Sequence, residues 1–235
     1  MEIDALRPWI AAAHLEPAAI DAHRAAFEAD PAKLVMLEGF LRREVADDLA
    51  EFFASGAEFS REYGLYSADR GVSPDEWERA AEDDRFFRYG KLTGIKPEAA
   101  LSDGALTYMR FRSFVTEPPF RAFFEELTGL ELGPSEDFGG HAFQVGDFLR
   151  DHDDANKDRR LAIVLYLTPG WDGAYGGALV MEDPGGGVRR FDATYDSLAV
   201  FDTLAGTTHR VEPVADAAGD QERRTFGGWF PNPPA

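Results

Sequence analysis

Apolar positions recur with two different periods along this chain, and the change falls near residue 138. Before it the spacing is mainly helical. Residues 17–29 (PAAIDAHRAAFEA) begin at a proline and consist largely of helix formers, which predicts a helix. The compact apolar run KLVMLEGF (33–40) predicts a buried strand. Over 41–56, Leu41, Val45, Leu49, Phe52 and Phe53 share one stripe of a helix that Gly56 stops. Residues 73–84 open with Ser-Pro and are dense in acids, which reads as a surface helix. Thr116 followed by Glu-Pro-Pro starts a further helix through FRAFFEELTGL. Its Phe120, Phe123, Phe124 and Leu127 face the core, and Gly129 ends it.

From Phe138 the period shortens to two. Eight short β-type runs follow, separated by Gly, Pro and Asp: FGGHAFQV, DFLRDHDD, RLAIVLYLT, GGALVME, VRRF, SLAVFD, THRVEPV and RRTFGGWF. HDDANKD, between the second and third, reads as a turn. Many short strands without intervening helices predict a sandwich or jelly-roll barrel. No internal repeat or low-complexity linker divides the chain. The expected class is α+β, one domain over 1–235, with a mainly helical support that includes a few strands over 1–135 and the barrel core over 136–231.

Composition narrows the chemistry. With 44% hydrophobic and 13% aromatic residues in 235, there is apolar surface enough to offset the entropy of ordering, which excludes a disordered chain. The absence of Cys excludes disulfides, thiolate zinc sites, iron–sulfur clusters and cysteine nucleophiles. Any metal must be held by His, Asp or Glu, and the histidines are His14, His23, His141, His152 and His209. A net charge of −19 repels nucleic acid and anionic membrane, and it suits either plain solubility or a preference for basic partners. No apolar run approaches the roughly 20 residues of a membrane span. MEIDALRPWIAAAHL carries acids where a secretory signal needs positive charge, so the expected location is the cytoplasm.

One constellation stands out. In a strand, residues i and i+2 share a face, so His152 and Asp154 can grip one ion, and His209 on a later strand can complete a triangle. Two imidazoles and one carboxylate form the facial triad of non-haem Fe(II) oxygenases. The same three ligands also suit a zinc hydrolase, and His-x-Asp alone also suits a surface turn. Alternation puts Ala162, Val164 and Tyr166 on one face of the strand after the pair. It puts Arg223, Thr225, Gly227 and Trp229 on one face of the last strand.

This ordered set resembles the 2-oxoglutarate and Fe(II)-dependent dioxygenases, in the prolyl hydroxylase branch that includes hypoxia-sensing and ribosomal-protein-modifying enzymes. The resemblance covers about Phe138 to Phe230 and extends more faintly back through YMRFRSFVTEPPFRAFFEELTG. It implies a double-stranded β-helix, that is, a jelly-roll or cupin-like barrel. It implies Fe(II) held by His152, Asp154 and His209, with 2-oxoglutarate and O2 as cosubstrates. The family's cosubstrate-anchoring arginine lies six positions before a strand tryptophan, which from Trp229 selects Arg223; alternation turns Arg224 away. The family's tyrosine on the same distal carboxylate matches Tyr166. On the strand before the metal pair, Gln144 is placed ahead of His141 as the polar group facing the cosubstrate.

The implied reaction is hydroxylation of an unactivated C–H bond, with a prolyl residue of a peptide or protein as first choice of substrate. A free amino acid or small metabolite comes next, and a non-catalytic barrel module or a metal-dependent hydrolase stands outside the resemblance. The carboxylate of Asp154 speaks against the halogenating relatives, which carry a small residue there. Arg110, Arg112, Arg150, Arg159 and Arg160 lie near the expected mouth and could bind an acidic substrate group. Two departures accompany the likeness. The stretch from His209 to Arg223 is long, with VADAAGDQE reading as an inserted acidic loop. The chain also leaves no room for the second, degenerate barrel usual in the ribosomal-protein group.

Overall fold

The computed structural model describes residues 2–155 and 159–234; residues 1, 156–158 and 235, with them the end of the HDDANKD segment, lie outside the described residues. The N-terminal half runs α1 (Ile3–Leu6), α2 (Ala12–Leu15), α3 (Pro17–Ala29), β1 (Leu34–Glu38), α4 (Arg43–Glu51), β2 (Ala57–Leu65), α5 (Pro74–Arg79), β3 (Arg85–Ile95), α6 (Asp103–Phe114) and α7 (Pro118–Thr128). Local signals explain the helix ends. Ser73 caps α5 in a reciprocal capping box with Glu76, Ser102 caps α6, and Gly129 closes α7 at φ 73°, a left-handed conformation that costs glycine little. The helix predicted over 41–56 begins at Arg43, with Leu41 in a β-bridge to Ile10, and its last turn, Phe52–Gly56, is wound more widely than the rest.

All eight runs after Phe138 are strands: β4 (Phe138–Phe143), β5 (Phe148–His152), β6 (Leu161–Tyr166), β7 (Leu179–Glu182), β8 (Val188–Phe191), β9 (Ser197–Asp202), β10 (Thr208–Val211) and β11 (Arg223–Phe230). Hydrogen-bonded neighbours follow the order β1-β9-β6-β11-β4-β3-β5-β10-β7-β8, all antiparallel, and β2 pairs β3. The sheet curls on itself into a double-stranded β-helix, the barrel form that the resemblance implied.

Parity along β11 sorts core from cavity. Phe226 and Phe230 point outward into the helical layer, where Phe111, Phe120 and Phe124 meet them at centroid distances of 5.4 to 6.2 Å. Burying each such ring stabilises the fold by about 1.5–3 kcal/mol, so this aromatic layer is the main tie between helices and sheet. Arg223, Thr225, Gly227 and Trp229 point the other way. A Cβ on Gly227 would lie 2.2 Å from the carbonyl oxygen of Ile163, so β11 and β6 approach as closely as they do only with glycine there.

Two features differ from the sequence reading. The first hundred residues hold a long hairpin, β2–β3, and β3 slots between β4 and β5 by pairing with both. The N-terminal half therefore supplies part of the barrel as well as its support, and β1 pairs β9. The acidic segment 73–84 forms a shorter helix than expected, and it is not purely a surface one. Trp77 is 3% exposed, with the guanidinium of Arg85 4.3 Å and that of Arg88 5.2 Å from its ring. Two cation–π contacts pin α5 to the strand below it.

Candidate active site

His152 and His209 lie directly opposite each other on β5 and β10. The register slips between that pair and Val211–Leu149, where the four residues 149–152 on β5 face the three residues 209–211 on β10. This bulge turns both Leu149 and His152 inward, a re-aiming of side chains that bulges beside functional sites commonly provide. The ring centroids are 4.1 Å apart. Asp154 follows just past the end of β5. One of its oxygens, Oδ2, lies 3.4 Å from His209 Nε2 and the other, Oδ1, 3.9 Å from His152 Nε2. One donor atom from each of the three falls within 4.8 Å of the others, the only such cluster among the described residues.

The electrostatics suit a cation. His152 Nδ1 lies 2.8 Å from the Arg150 carbonyl and donates to it, which leaves the Nε2 lone pair facing the centre. Burial, then the neighbouring His209, lowers the His152 pKa and favours the neutral, ligating form. Burial also acts on Asp154, pushing its carboxyl up. The His209 hydrogen bond and the positive groups around it outweigh this and hold it at about 2. Behind the carboxylate, Trp229 Nε1–H donates to Oδ2 at 2.9 Å and Arg159 Nη1–H to Oδ1 at 2.6 Å.

A cavity of about 120 Å³ runs from this cluster into the barrel, walled by apolar side chains such as Val164, Leu179 and Phe201. At its far end Arg223 is 2% exposed, with no carboxylate within 4 Å among the described residues. Its Nε and the Tyr166 hydroxyl are both buried without a hydrogen-bond partner. The guanidinium lies 5.0 Å from the Tyr166 ring and 5.1 Å from that of Phe143. Burial lowers the arginine's pKa and raises the tyrosine's. Gly177 makes room for the arginine stem, since a Cβ there would meet Arg223 Cδ at 2.8 Å. Arg224 points the other way and bonds Glu222, as alternation predicts.

One expected residue is displaced. Gln144 lies past the end of β4, exposed and outside the cavity, where its backbone N–H donates to Asp147. The inward positions of β4 are those opposite Arg223 and Thr225, namely Phe143 and His141, so strand parity gives His141 the place assigned to Gln144. Burial, then the cations Lys91 and Arg223, push His141 down to about 4, so it is a neutral imidazole. Tyr89, from the unforeseen β3, also lines the cavity, in edge contact with His141 at 5.2 Å. Its signal was the cluster of aromatics in RFFRYG, which the interleaved arginines obscure.

Of the five arginines expected near the mouth, Arg159 touches the metal cluster. Arg160 pairs with Asp202, Arg112 donates to the Glu136 carbonyl, Arg150 covers Phe148, and Arg110 is exposed. VADAAGDQE is more than an acidic loop, because Val214 and Ala218 are buried beside Phe143. Residues 73–84 contribute nothing to the cavity wall.

Fold and site together define a double-stranded β-helix with a His-Asp-His centre at one end of a cavity and an unpaired arginine at the other. The residues fit both groups of the iron oxygenases: a nitrogen–oxygen donor set for Fe(II) and, in Arg223, a buried cation awaiting an anion. Similarity to known proteins agrees. The profile of the 2OG-Fe(II) oxygenase superfamily matches residues 139–231, the segment that carries the cluster and Arg223, and the similar proteins lie on the prolyl hydroxylase-like side of that superfamily. A match to that superfamily over the segment holding the His-Asp-His cluster implies Fe(II), 2-oxoglutarate and O2 as reactants.

Prolyl 3-hydroxylase OGFOD1 of Mus musculus is 31% identical over 120 residues, 48% of this chain and 22% of the mouse protein. Prolyl 3-hydroxylase sudestada1 of Drosophila melanogaster is 33% identical over 126 residues, 47% of this chain and 22% of the fly protein. The chain thus spans only a fifth or so of these relatives' length. Among solved structures, a Pseudomonas putida prolyl-4-hydroxylase superimposes with a TM-score of 0.60 at 19% identity, over 92% of this chain and all of that one. A Trichoplax adhaerens prolyl hydroxylase, solved with a peptide fragment of hypoxia inducible factor, does so with a TM-score of 0.60 at 15% identity, over 92% of this chain and 94% of that one.

Proposed function

We propose that the chain is an Fe(II)- and 2-oxoglutarate-dependent dioxygenase that hydroxylates a prolyl residue of a peptide or protein. The observation that carries this is Arg223. A guanidinium buried at 2% exposure with no acid partner is costly unless an anion completes it, and it shares one cavity with the metal cluster. His152, Asp154 and His209 would hold the iron. Bound iron and 2-oxoglutarate would supply O2 activation and oxidation of a C–H bond, with succinate and CO2 as co-products.

The chain's own residues divide the remaining work. Arg223 offers parallel N–H donors to the distal carboxylate and Tyr166 adds its hydroxyl, so the cosubstrate is oriented before O2 arrives. The neutral His141 can donate one hydrogen bond without adding charge. Val164, Leu179 and Phe201 keep water from the cavity, which strengthens each polar contact inside it. The prolyl substrate is supported by the curated relatives. A preference for basic partners is supported by the charge of −19. The shared β1–β9 and β3–β4 pairing supports one domain over 1–235, and the acidic, cysteine-free sequence supports a cytoplasmic setting.

The test is anaerobic addition of Fe(II) and 2-oxoglutarate to the metal-stripped protein. A weak visible charge-transfer band that vanishes in Arg223→Ala is expected, followed in air by succinate formation stimulated by proline-containing peptides. Iron binding with no band and no succinate would move the assignment to a hydrolase or a non-catalytic barrel. Stimulation by free amino acids alone would keep the chemistry and replace the substrate.

A further inference from the structure

The two oxygens of the Asp154 carboxylate are held by donors of different character. Oδ2, the oxygen nearer His209, receives a neutral N–H from Trp229 at 2.9 Å and keeps a lone pair. Oδ1 receives a charged N–H from Arg159 at 2.6 Å. The Arg159 guanidinium is held in place from a second side, with its central carbon 3.8 Å from the centroid of the Trp229 ring. Its side chain is 32% exposed and Asp154's is 4%, so the arginine reaches in from solvent. A neutral donor aims an oxygen without opposing a metal on its other side. A cation opposes it, because two like charges in a desolvated site repel strongly.

We propose that Arg159 is a positioning residue that restricts Asp154 to ligation through Oδ2, the oxygen Trp229 orients, and so keeps a coordination position open for 2-oxoglutarate. The inference rests on the oxygenase reading. A carboxylate free to use both oxygens fills one more position on the ion, and a chelating cosubstrate needs two. Replacing Arg159 with an apolar side chain of similar length therefore affects the two ligands oppositely. The ion loses a repulsive neighbour and gains an oxygen, while the cosubstrate loses a site.

The experiment uses the full chain, metal-stripped, with Mn(II) and Co(II) as redox-inert probes under nitrogen. Arg159→Met is expected to bind Mn(II) at least as tightly as the parent protein, and 2-oxoglutarate about tenfold more weakly in the Mn(II)-loaded state. Its Co(II) visible spectrum shifts before any 2-oxoglutarate is added, a change that loss of long-range attraction for the dianion would not produce. Arg159→Lys, which keeps the charge, restores both readouts most of the way. The proposal is overturned by an unaltered Co(II) spectrum, by unaltered 2-oxoglutarate affinity, or by Arg159→Met losing Mn(II) affinity. If the parent protein binds neither ion, the oxygenase reading itself falls, and the inference with it. Arg223→Met separates the two cases further, since it weakens 2-oxoglutarate while leaving the Co(II) spectrum unchanged.

Discussion

Two buried charges on opposite sides of one strand turn are treated in opposite ways. Asp147, just past β4, is fully buried and has a complete set of partners. Arg61 grips both its oxygens, Arg88 Nε–H donates at 2.9 Å, and the Gln144 backbone N–H donates at 3.0 Å. Arg223, across β4 inside the barrel, is 2% exposed, has no acid partner among the described residues, and leaves its Nε unbonded. Asp196 falls between, 7% exposed with a single N–H from Leu41. The first charge ties β2, β3 and the β4–β5 turn together and belongs to folding. The second has only ring contacts and the Tyr166 hydroxyl around it, with no carboxylate to offset its charge, as suits a cation that awaits an anion. Counting partners thus separates structural from functional charges where burial alone does not.

Breaking the fully partnered site should have the largest effect. Asp147→Ala leaves two arginines facing an empty space, and a loss of about 3–5 kcal/mol is expected in urea unfolding. Arg223→Met is the sharpest test, because its two effects have opposite signs. Removing an unpaired buried cation should stabilise the ligand-free protein by about 1–3 kcal/mol. The same change should weaken 2-oxoglutarate at least about 100-fold, by calorimetry. If ligand-free Arg223→Met were instead destabilised, the contrast with Asp147 would fail. Tyr166→Phe removes one hydroxyl from the same end, so a smaller rise of about tenfold in the KM for 2-oxoglutarate is expected, with unfolding little changed.

The intermediate charge gives a pH signature. Burial raises the Asp196 carboxyl to about 6, against the opposing Leu41 hydrogen bond. A carboxyl raised on folding stabilises below its unfolded value, near 3.9, and that stability is lost as pH rises through about 6. Asp196→Asn keeps the acceptor for Leu41 and tolerates the positive φ of 56°. Thermal unfolding should show it more stable than the parent by about 1–2 kcal/mol at pH 8, with the advantage gone at pH 4.

The barrel was legible because its signals are local. Eight runs of alternating residues between Gly, Pro and Asp each declare a strand, and His152-x-Asp154 with a later His209 declares the cluster. What escaped depends on partners distant in sequence. Strand β2 carries Arg61 and β3 carries Arg88, both matched to Asp147 far along the chain, so neither strand reads as half-buried by composition. Gln144 and His141 differ only in where β4 stops, and pairing with β11 decides that. The bulge in β5 leaves no mark in DFLRDHDD at all. Trp77 carried a readable hint, a lone tryptophan in an acidic helix, which composition alone made look like surface.

The insertion of β3 between β4 and β5 also has a consequence for how the molecule is made. Neighbouring strands here come from remote parts of the chain, β1 with β9 and β3 with β4, and such high contact order slows folding. During synthesis β3 emerges with neither of its barrel neighbours available, pairing only with β2. A version trimmed to the superfamily's 139–231 would leave β4 and β5 with bare backbone edges facing each other across a gap. Exposed edges recruit strands from other copies, so that fragment would be expected to aggregate before it could bind a ligand.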